Sequence, residues 1–106
     1  GQGSQSIGML RDLACTFPEF LETLNQAERA FPTGQGLANL IYPHPAFTPE
    51  VREKQETNLR ATNAAQPALG AVEVGCWKVL QRFGVGAGAF VGHSFGELTA
   101  LFAAGV

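Results

Sequence analysis

The chain has 106 residues, enough for one small domain or for part of a larger one, and 7 basic and 9 acidic residues give it a net charge of −2. Hydrophobic residues make up 45% of the sequence and charged residues 15%, a balance typical of a chain that forms a core. No two basic residues are adjacent, which argues against nucleic acid or anionic lipid as primary partners. No apolar run reaches the roughly 20 residues that a membrane span requires.

The termini and the cysteines suggest a cellular context. The sequence starts at Gly1 without a methionine or a signal peptide, and it ends at Val106 after apolar residues that need covering, so we expect a fragment. Cys15 and Cys76 form no C-x-x-C pair and lie near no histidine cluster, so we expect no metal site. We predict two buried thiols in a cytoplasmic protein.

Two helices are predicted in the first third of the chain. After a glycine-rich loop over 1–8, apolar residues at helical spacing predict a helix over 9–17. Pro18 interrupts that pattern and suits the first position of a second helix that extends to Phe31. The apolar face of the second helix would comprise Phe20, Leu21, Leu24, Ala27 and Phe31.

A short helical turn, a surface loop and a charged helix are predicted in the middle of the chain. A break at 32–36 precedes a single helical turn over 37–42 and a rigid, proline-rich loop. Thr48 can cap a helix that begins at Pro49. The mixed charges of that helix, which continues to about Arg60, predict a largely solvated surface.

The last 40 residues predict an α/β arrangement. Pro67 is expected to begin the strongest helix of the chain, and Gly84 to end it. A glycine-rich link, a short apolar strand over 89–91, a tight turn and a helix from about Glu97 follow. We therefore expect a mostly helical chain of the α/β class, in which a short parallel strand leads into a turn.

The turn carries the pattern G-x-S-x-G, as G-H-S-F-G at 92–96. In a nucleophile elbow the serine lies on a strained turn between a strand and a helix, and the residues two positions away must be small. Gly92 and Gly96 meet this condition, and Ser94 would be the nucleophile. The amide of Phe95, at the start of a helix, can stabilise an oxyanion. The alternative is a glycine-rich turn with an unreactive serine.

A serine nucleophile needs a base, and only two histidines are present. His93 is adjacent to Ser94, where side chains diverge, so it is expected to pack beside the strand. His44 lies between two prolines and is expected to be a surface residue. The 106 residues therefore contain a nucleophile without a convincing base.

Two further patterns are weaker when each is taken alone. G-Q-G-S-Q at 1–5 could form an anion-binding nest of backbone amides, or an ordinary turn. Gln66, in Q-P-A-L at 66–69, could simply cap the helix that Pro67 is expected to begin.

In combination, these patterns resemble one family. G-Q-G-S-Q, then Q-P-A-L, then G-H-S-F-G-E-L-T-A-L-x-A-A-G at 92–105 is similar to the malonyl-CoA:acyl carrier protein transacylases, which include the acyltransferase domains of polyketide and fatty acid synthases. The loop with Pro43 and Pro45 looks more like a polyketide synthase domain. Phe95 departs from the residues usual after this serine, and resembles some iterative and polyunsaturated fatty acid synthases. The resemblance covers residues 1–106 as the N-terminal part of an α/β-hydrolase-like acyltransferase domain.

The resemblance implies roles for individual residues. Ser94 would carry the acyl group, and the backbone amides of Gln2 and Phe95 would form the oxyanion hole. Gln66 would line the acyl pocket, and His93 would help to shape it. The family's catalytic histidine and its carboxylate-binding arginine follow the elbow, so both would lie after Val106, and the first core strand would precede Gly1.

The implied reaction is acyl transfer in two steps. A malonyl-type group would move from coenzyme A to Ser94, and then to the phosphopantetheine thiol of an acyl carrier protein, with no bound cofactor. A ketosynthase and other synthase domains are implied in the same chain. The alternatives are a serine hydrolase, such as an esterase or thioesterase, and a catalytically incomplete scaffold.

Overall fold

The computed structural model describes residues 3–106, which fold into six helices. These are α1 (Arg11–Thr16), α2 (Pro18–Ala30), α3 (Leu37–Ile41), α4 (Pro49–Arg60), α5 (Thr62–Arg82) and α6 (Phe95–Ala103). The long helix α5 is central, since α2, α3, α4 and α6 all pack against it. None of the helices formed by the described residues is long and apolar enough to cross a membrane.

The core lies mainly between α2, α3 and α5. Its largest fully buried side chains are Phe20, Leu24, Leu37, Ile41 and Leu59. Burial of each such side chain contributes roughly 1.5–3 kcal/mol to folding. Helices α2 and α5 approach closely at Gly75, where a β-carbon would lie 2.8 Å from the Phe20 ring.

The first two helices follow the sequence prediction. Phe17 has extended backbone angles and separates α1 from α2, and Pro18 is the first residue of α2. The predicted apolar face of α2 is only partly buried, because Phe20 and Leu24 are inaccessible whereas Phe31 is 52% exposed. Cys15 is also exposed, so the prediction of a buried thiol there is wrong. On the short α1, the neighbouring Ala14 is the residue that faces the core.

Helix α4 also begins as the sequence predicts. The Oγ1 atom of Thr48 accepts a hydrogen bond of 3.2 Å from the amide of Val51, which satisfies an otherwise free donor of the first turn. Leu59 is the one buried residue of this helix. The prediction of a largely solvated α4 is therefore confirmed.

The predicted start of α5 at Pro67 is wrong. The helix begins at Thr62, where the carbonyl of Ala61 accepts hydrogen bonds from the amides of Ala64 and Ala65 at 2.9 and 2.7 Å. Pro67 lies inside the helix, where it cannot donate to the carbonyl four residues earlier and its ring crowds that carbonyl. Burial of Ala64 and Ala65 in the core stabilises the additional turn.

The segment over 89–91 forms no strand within residues 3–106. A strand is defined by hydrogen bonds to a neighbouring strand, and the described residues provide no such neighbour. The segment is held instead by Phe90, whose ring meets Trp77 of α5 edge to face with centroids 4.9 Å apart. Helix α6 begins at Phe95, two residues before the predicted start at Glu97.

Candidate active site

Ser94 has a strained backbone at the point where the chain enters α6. Its φ of 57° and ψ of −123° make it one of two non-glycine residues with positive φ within 3–106. A non-glycine residue in such a region costs about 1–3 kcal/mol, so the surrounding structure must hold it there. Two hydrogen bonds of 3.0 Å close the turn, from the amide of Gly96 to the carbonyl of His93 and from the amide of Glu97 to the carbonyl of Ser94.

The turn brings two backbone segments unusually close together. A β-carbon on Gly92 would overlap the carbonyl group of Gly96 and lie 2.6 Å from the amide nitrogen of Glu97. Glycine at position 92 is therefore required for the approach of the incoming chain to α6. The corresponding expectation for Gly96 is wrong for the described residues, since a β-carbon there would have no neighbour within 4 Å.

The hydroxyl of Ser94 and the next amide are available for chemistry. Ser94 is exposed, and its side chain makes no capping hydrogen bond to α6. The amide of Phe95 donates to no backbone carbonyl of residues 3–106, whereas the following two amides close the turn. A free amide at a helix N-terminus, next to a serine hydroxyl, is the arrangement that stabilises negative charge on an attacked carbonyl oxygen.

These groups open onto a cavity of about 430 Å³ between α5, α6 and the segment over 90–94. Ser94, Phe95, Gln66 and His93 all line it, so four of the five predicted site residues lie around one space. The other lining residues are Leu69, Glu73, Trp77, Leu80, Phe90, Val91, Gly92, Gly96, Thr99, Ala100 and Ala103. The fifth predicted residue, Gln2, lies outside the described residues.

Two aromatic contacts set how the elbow crosses α5. The ring of Phe90 meets Trp77, and the ring of Phe95 meets Gly70, seven residues earlier on the helix. At a rise of about 1.5 Å per residue, this separation on α5 is about 10 Å. The segment leading to Ser94 therefore runs antiparallel to α5, and Glu73 lies between the two contacts.

Glu73 gives the cavity a negative charge. It is the one acidic residue among the lining residues of the described chain, and no Lys or Arg lines the same space. Burial, and to a lesser extent the charge of Glu73, raises the pKa of the Cys76 thiol on the same helix. Cys76 therefore stays protonated at neutral pH and does not compete with Ser94 as a nucleophile.

The two histidines differ in their position relative to the serine. His93 is exposed and lines the cavity, but its side chain forms no hydrogen bond within residues 3–106. His44 is exposed in the proline-rich loop, where its carbonyl accepts a 2.9 Å hydrogen bond from Gln55, and it does not line the cavity. Neither histidine is paired with Ser94 in the described part of the chain.

The glycine-rich loop at the start of the chain is described from Gly3 onwards. The amide of Gly3 donates to Oε1 of Gln5 at 2.8 Å. The loop is anchored further along by a 2.7 Å hydrogen bond from the amide of Gly8 to the carbonyl of Ile41. Residues 3–5 do not line the cavity at Ser94.

Sequence reasoning missed Glu73 and Thr99 as lining residues. The positions that α5 contributes to the cavity, namely 66, 69, 73, 77 and 80, recur at steps of three and four. This is the period of one helix face, so extending it from Gln66 would have reached Glu73. The interpretation of Gln66 as a cap is wrong, because Gln66 lies inside α5.

A second cavity of about 340 Å³ lies on the other side of the Phe95 ring, between α2, α5 and α6. Phe31, Leu98 and Phe102 give it a mainly apolar lining. Phe95 and Thr99 line both cavities, so they form the partition between them. Among the described residues, no cluster of His, Cys, Asp or Glu could hold a metal ion in either place.

Ser94 has a strained backbone at the N-terminus of α6, next to an amide that donates to no backbone carbonyl of residues 3–106, and Gly92 packs on the turn. These features are the ones expected of the class of proteins with a nucleophile elbow. A sequence model of the acyl transferase domain matches residues 1–106. The chain therefore belongs to the acyl transferase domain family.

The relatives of this chain include a transacylase and a hybrid synthetase. The chain is 39% identical over 107 residues to the malonyl CoA-acyl carrier protein transacylase of Salmonella typhimurium, covering all of this chain and 31% of that protein. It is 37% identical over 109 residues to the hybrid PKS-NRPS synthetase pytA of Aspergillus terreus, of which it covers 16%. The chain thus spans less than a third of the length of these relatives.

Solved structures agree with this assignment. The acyl carrier protein S-malonyltransferase of Vibrio cholerae matches with a TM-score of 0.80 and 37% identity, over all of this chain and 31% of that one. A malonyl-transacylase in complex with the type II PKS acyl carrier protein AntF matches with a TM-score of 0.80 and 40% identity, with the same coverage. The predicted α/β acyltransferase fold is confirmed by these neighbours, although the described residues themselves are helical.

Proposed function

We propose that this chain is the N-terminal, nucleophile-bearing part of an acyltransferase domain. The domain moves a malonyl-type acyl group from coenzyme A to Ser94, and then to the phosphopantetheine thiol of an acyl carrier protein. The reaction belongs to polyketide or fatty acid biosynthesis. The coenzyme A thioester is a substrate, and no bound cofactor takes part.

One observation carries the proposal. Ser94 has a φ of 57° and a ψ of −123°, lies beside the free amide of Phe95, and opens onto a cavity of about 430 Å³. Backbone strain of this kind costs about 1–3 kcal/mol and is concentrated at active sites, which supports a catalytic role for Ser94. The proposed acyl group and acceptor are those in the names of the relatives, which are a malonyl transacylase and a malonyl-transacylase in complex with an acyl carrier protein.

The chemistry divides into two transfers. Ser94 Oγ attacks the thioester carbonyl, and its proton passes to a base and then to the departing coenzyme A thiol. The negative oxygen of the tetrahedral intermediate accepts a hydrogen bond from the amide of Phe95, and the amide of Gln2 is the proposed second donor. The carrier thiol then attacks the Ser94 ester and gives up its proton to the base. The bond from the acyl carbon to Ser94 Oγ breaks, the acyl group stays on the carrier sulfur, and the base returns the proton to Ser94 Oγ.

The remaining proposed residues shape the pocket. Gln66 projects from α5 into the cavity and offers amide groups to the acyl chain, and His93 lines the cavity next to the serine. A histidine following the elbow in the complete domain serves as the base. The isolated 106 residues are therefore expected to lack transacylase activity.

The proposal extends to partners and location. An acyl carrier protein is the acceptor, and the relative pytA, a hybrid synthetase several times longer than this chain, supports further synthase domains such as a ketosynthase. The protein acts in the cytoplasm, where coenzyme A thioesters are available.

The decisive experiment follows acyl loading. The intact protein is mixed with isotopically labelled malonyl-CoA, and the mass of each peptide is measured before and after a holo acyl carrier protein is added. We expect a malonyl group on the peptide containing Ser94, which then moves to the carrier. Ser94→Ala should abolish loading, whereas Ser6→Ala, a serine that does not line the cavity, should not.

The alternatives predict different outcomes of the same experiment. A serine hydrolase would load Ser94 only briefly and release free malonic acid, with or without the carrier. A scaffold would show no labelled peptide. Loading that persists in Ser94→Ala would contradict the assignment of the nucleophile.

A further inference from the structure

The ring of Phe95 is seated in a notch on α5 that exists because residue 70 is glycine. A β-carbon on Gly70 would lie 2.5 Å from Cε1 of Phe95 and 3.3 Å from Cδ1 of the same ring. Gly70 is buried, and its φ is not positive, so the backbone conformation does not demand glycine there. The requirement for glycine comes from the ring.

The ring of Phe95 has a second aromatic contact, with the residue that follows α2. Phe31 meets Phe95 edge to face, with centroids 6.5 Å apart and an angle of 73° between the planes. Phe95 therefore contacts both α5 and the residue that follows α2. Its ring also forms the partition between the cavity at Ser94 and the apolar cavity behind it.

The same residue supplies the backbone group beside the reactive serine. Phe95 is the first residue of α6, and its amide, next to Ser94, donates to no backbone carbonyl of residues 3–106. A fixed ring limits how far the Cα atom and the amide of its own residue can move. The seat at Gly70 thus restrains the amide and the strained turn together.

We propose that Gly70 is a positioning residue, which seats the Phe95 ring and thereby places the amide of Phe95 and the hydroxyl of Ser94 for reaction. The proposal rests on the proposed function, in which these two groups react with the acyl thioester. Gly70 touches neither substrate nor reacting atoms. It acts through the ring that it accommodates.

The expected effect of Gly70→Ala follows from the distances. Relief of a 2.5 Å contact requires the ring to move by roughly 1 Å, and a displacement of that size at a reacting group can lower a rate by about a hundredfold. We expect kcat for acyl transfer to fall by about 10- to 100-fold. KM for malonyl-CoA should stay within about twofold of the original value, because Gly70 itself does not line the cavity at Ser94.

Gly75→Ala provides a matched control. Gly75 lies on the same helix, and a β-carbon there would also meet a phenylalanine ring, with Cδ2 of Phe20 at 2.8 Å. Gly75 does not line the cavity at Ser94. Both substitutions should lower the melting temperature of the intact protein, but only Gly70→Ala should lower kcat.

A compensating substitution distinguishes a loss of kcat caused by a displaced Phe95 ring from one caused by general destabilisation of the protein. Phe95→Leu alone should lower kcat because it leaves the notch unfilled. In Gly70→Ala/Phe95→Leu the added methyl and the smaller side chain fit together, since swaps that conserve volume are tolerated best. We expect the double variant to recover kcat to within about threefold of the original, a non-additive result.

The outcomes distinguish the two proposals. If the unaltered protein does not load Ser94, the proposed function fails and this inference fails with it. If the unaltered protein and Gly75→Ala load Ser94, and Gly70→Ala does so at the same kcat, only the role of Gly70 is overturned. Should Gly70→Ala not fold, a folded Phe95→Leu with undiminished kcat would overturn it equally.

Discussion

Gly92 lies so close to Gly96 that a β-carbon on Gly92 would overlap the Gly96 carbonyl group. The contact joins the chain entering the elbow to the first turn of α6. It explains physically why residue 92 is a glycine, and it shows that the two glycines flanking the serine are not equivalent. Gly92 needs to lack a side chain, whereas Gly96 supplies the backbone that Gly92 approaches.

Substitution of the two glycines should therefore have unequal effects. Gly92→Ala forces the elbow away from α6, and we expect the free energy of unfolding to fall by about 1–3 kcal/mol. Gly96→Ala adds a methyl group with no neighbour within 4 Å and improves helix propensity, so stability should be unchanged or rise by up to about 1 kcal/mol. Urea denaturation of the purified variants measures both, and equal losses would contradict the asymmetry.

Removal of the Thr48 side chain, which caps α4, should lower the stability of the protein. In Thr48→Ala the amide of Val51 loses its partner, and we expect a loss of about 1 kcal/mol in the free energy of unfolding. Thr57→Ala makes the same chemical change at an exposed position within α4, where alanine is the better helix former. The prediction fails if chemical denaturation shows Thr48→Ala to be no less stable than Thr57→Ala.

The titration of Tyr42 can be followed directly because it is the one tyrosine of the chain. Burial, with smaller contributions from the charges of Cys15 and Cys76, raises the pKa of Tyr42 to about 12. Its hydroxyl also donates a 2.7 Å hydrogen bond to the carbonyl of Met9. The near-ultraviolet absorbance of the phenolate should therefore appear at a higher pH in the folded protein than in urea, where we expect a pKa near 10.

The raised pKa of Tyr42 also determines how the stability of the fold changes with pH. The folded state favours the neutral phenol, so it binds more protons than the unfolded state between about pH 10 and pH 12. The contribution of Tyr42 to stability is present in full below about pH 10 and is lost as the pH rises towards 12. A phenolate that appears at the same pH in folded and unfolded protein would contradict this.

The charge of Glu73 should influence which acyl groups enter the cavity. A carboxylate in the lining repels the free carboxylate of a malonyl group. Two like charges about 4 Å apart in water repel by roughly 1 kcal/mol, or about fivefold in affinity. Glu73→Gln should therefore lower KM for malonyl-CoA by about fivefold relative to acetyl-CoA at low ionic strength.

Two comparisons isolate this effect. Acetyl-CoA carries the same coenzyme but lacks the acyl carboxylate. The ratio of the two KM values therefore removes any effect of Glu73 on the coenzyme itself. Glu50→Gln removes an equal charge from the exposed surface of α4. A uniform change for both substrates, or an equal change in Glu50→Gln, would show that Glu73 does not act on the acyl group.

The local features of this chain could be read from its sequence. Thr48 and Pro49 predicted the start of α4, Pro18 predicted the start of α2, and G-H-S-F-G predicted a turn before a helix. Each depends on groups a few residues apart, such as a hydroxyl and the amide three residues later. Short-range bonds of this kind are encoded by neighbouring residues and need no distant partner.

The tertiary structure decided where elements begin and which side chains share a space. Packing of Ala64 and Ala65 extended α5 backwards past Pro67, and the segment over 89–91 found no neighbouring strand among the described residues. The contact between the Phe95 ring and Gly70 joins residues that are 25 positions apart in the sequence. Such contacts depend on how whole helices pack against each other. Helix packing is determined by the burial of many side chains together, so it cannot be inferred from the few residues that flank each contact in the sequence.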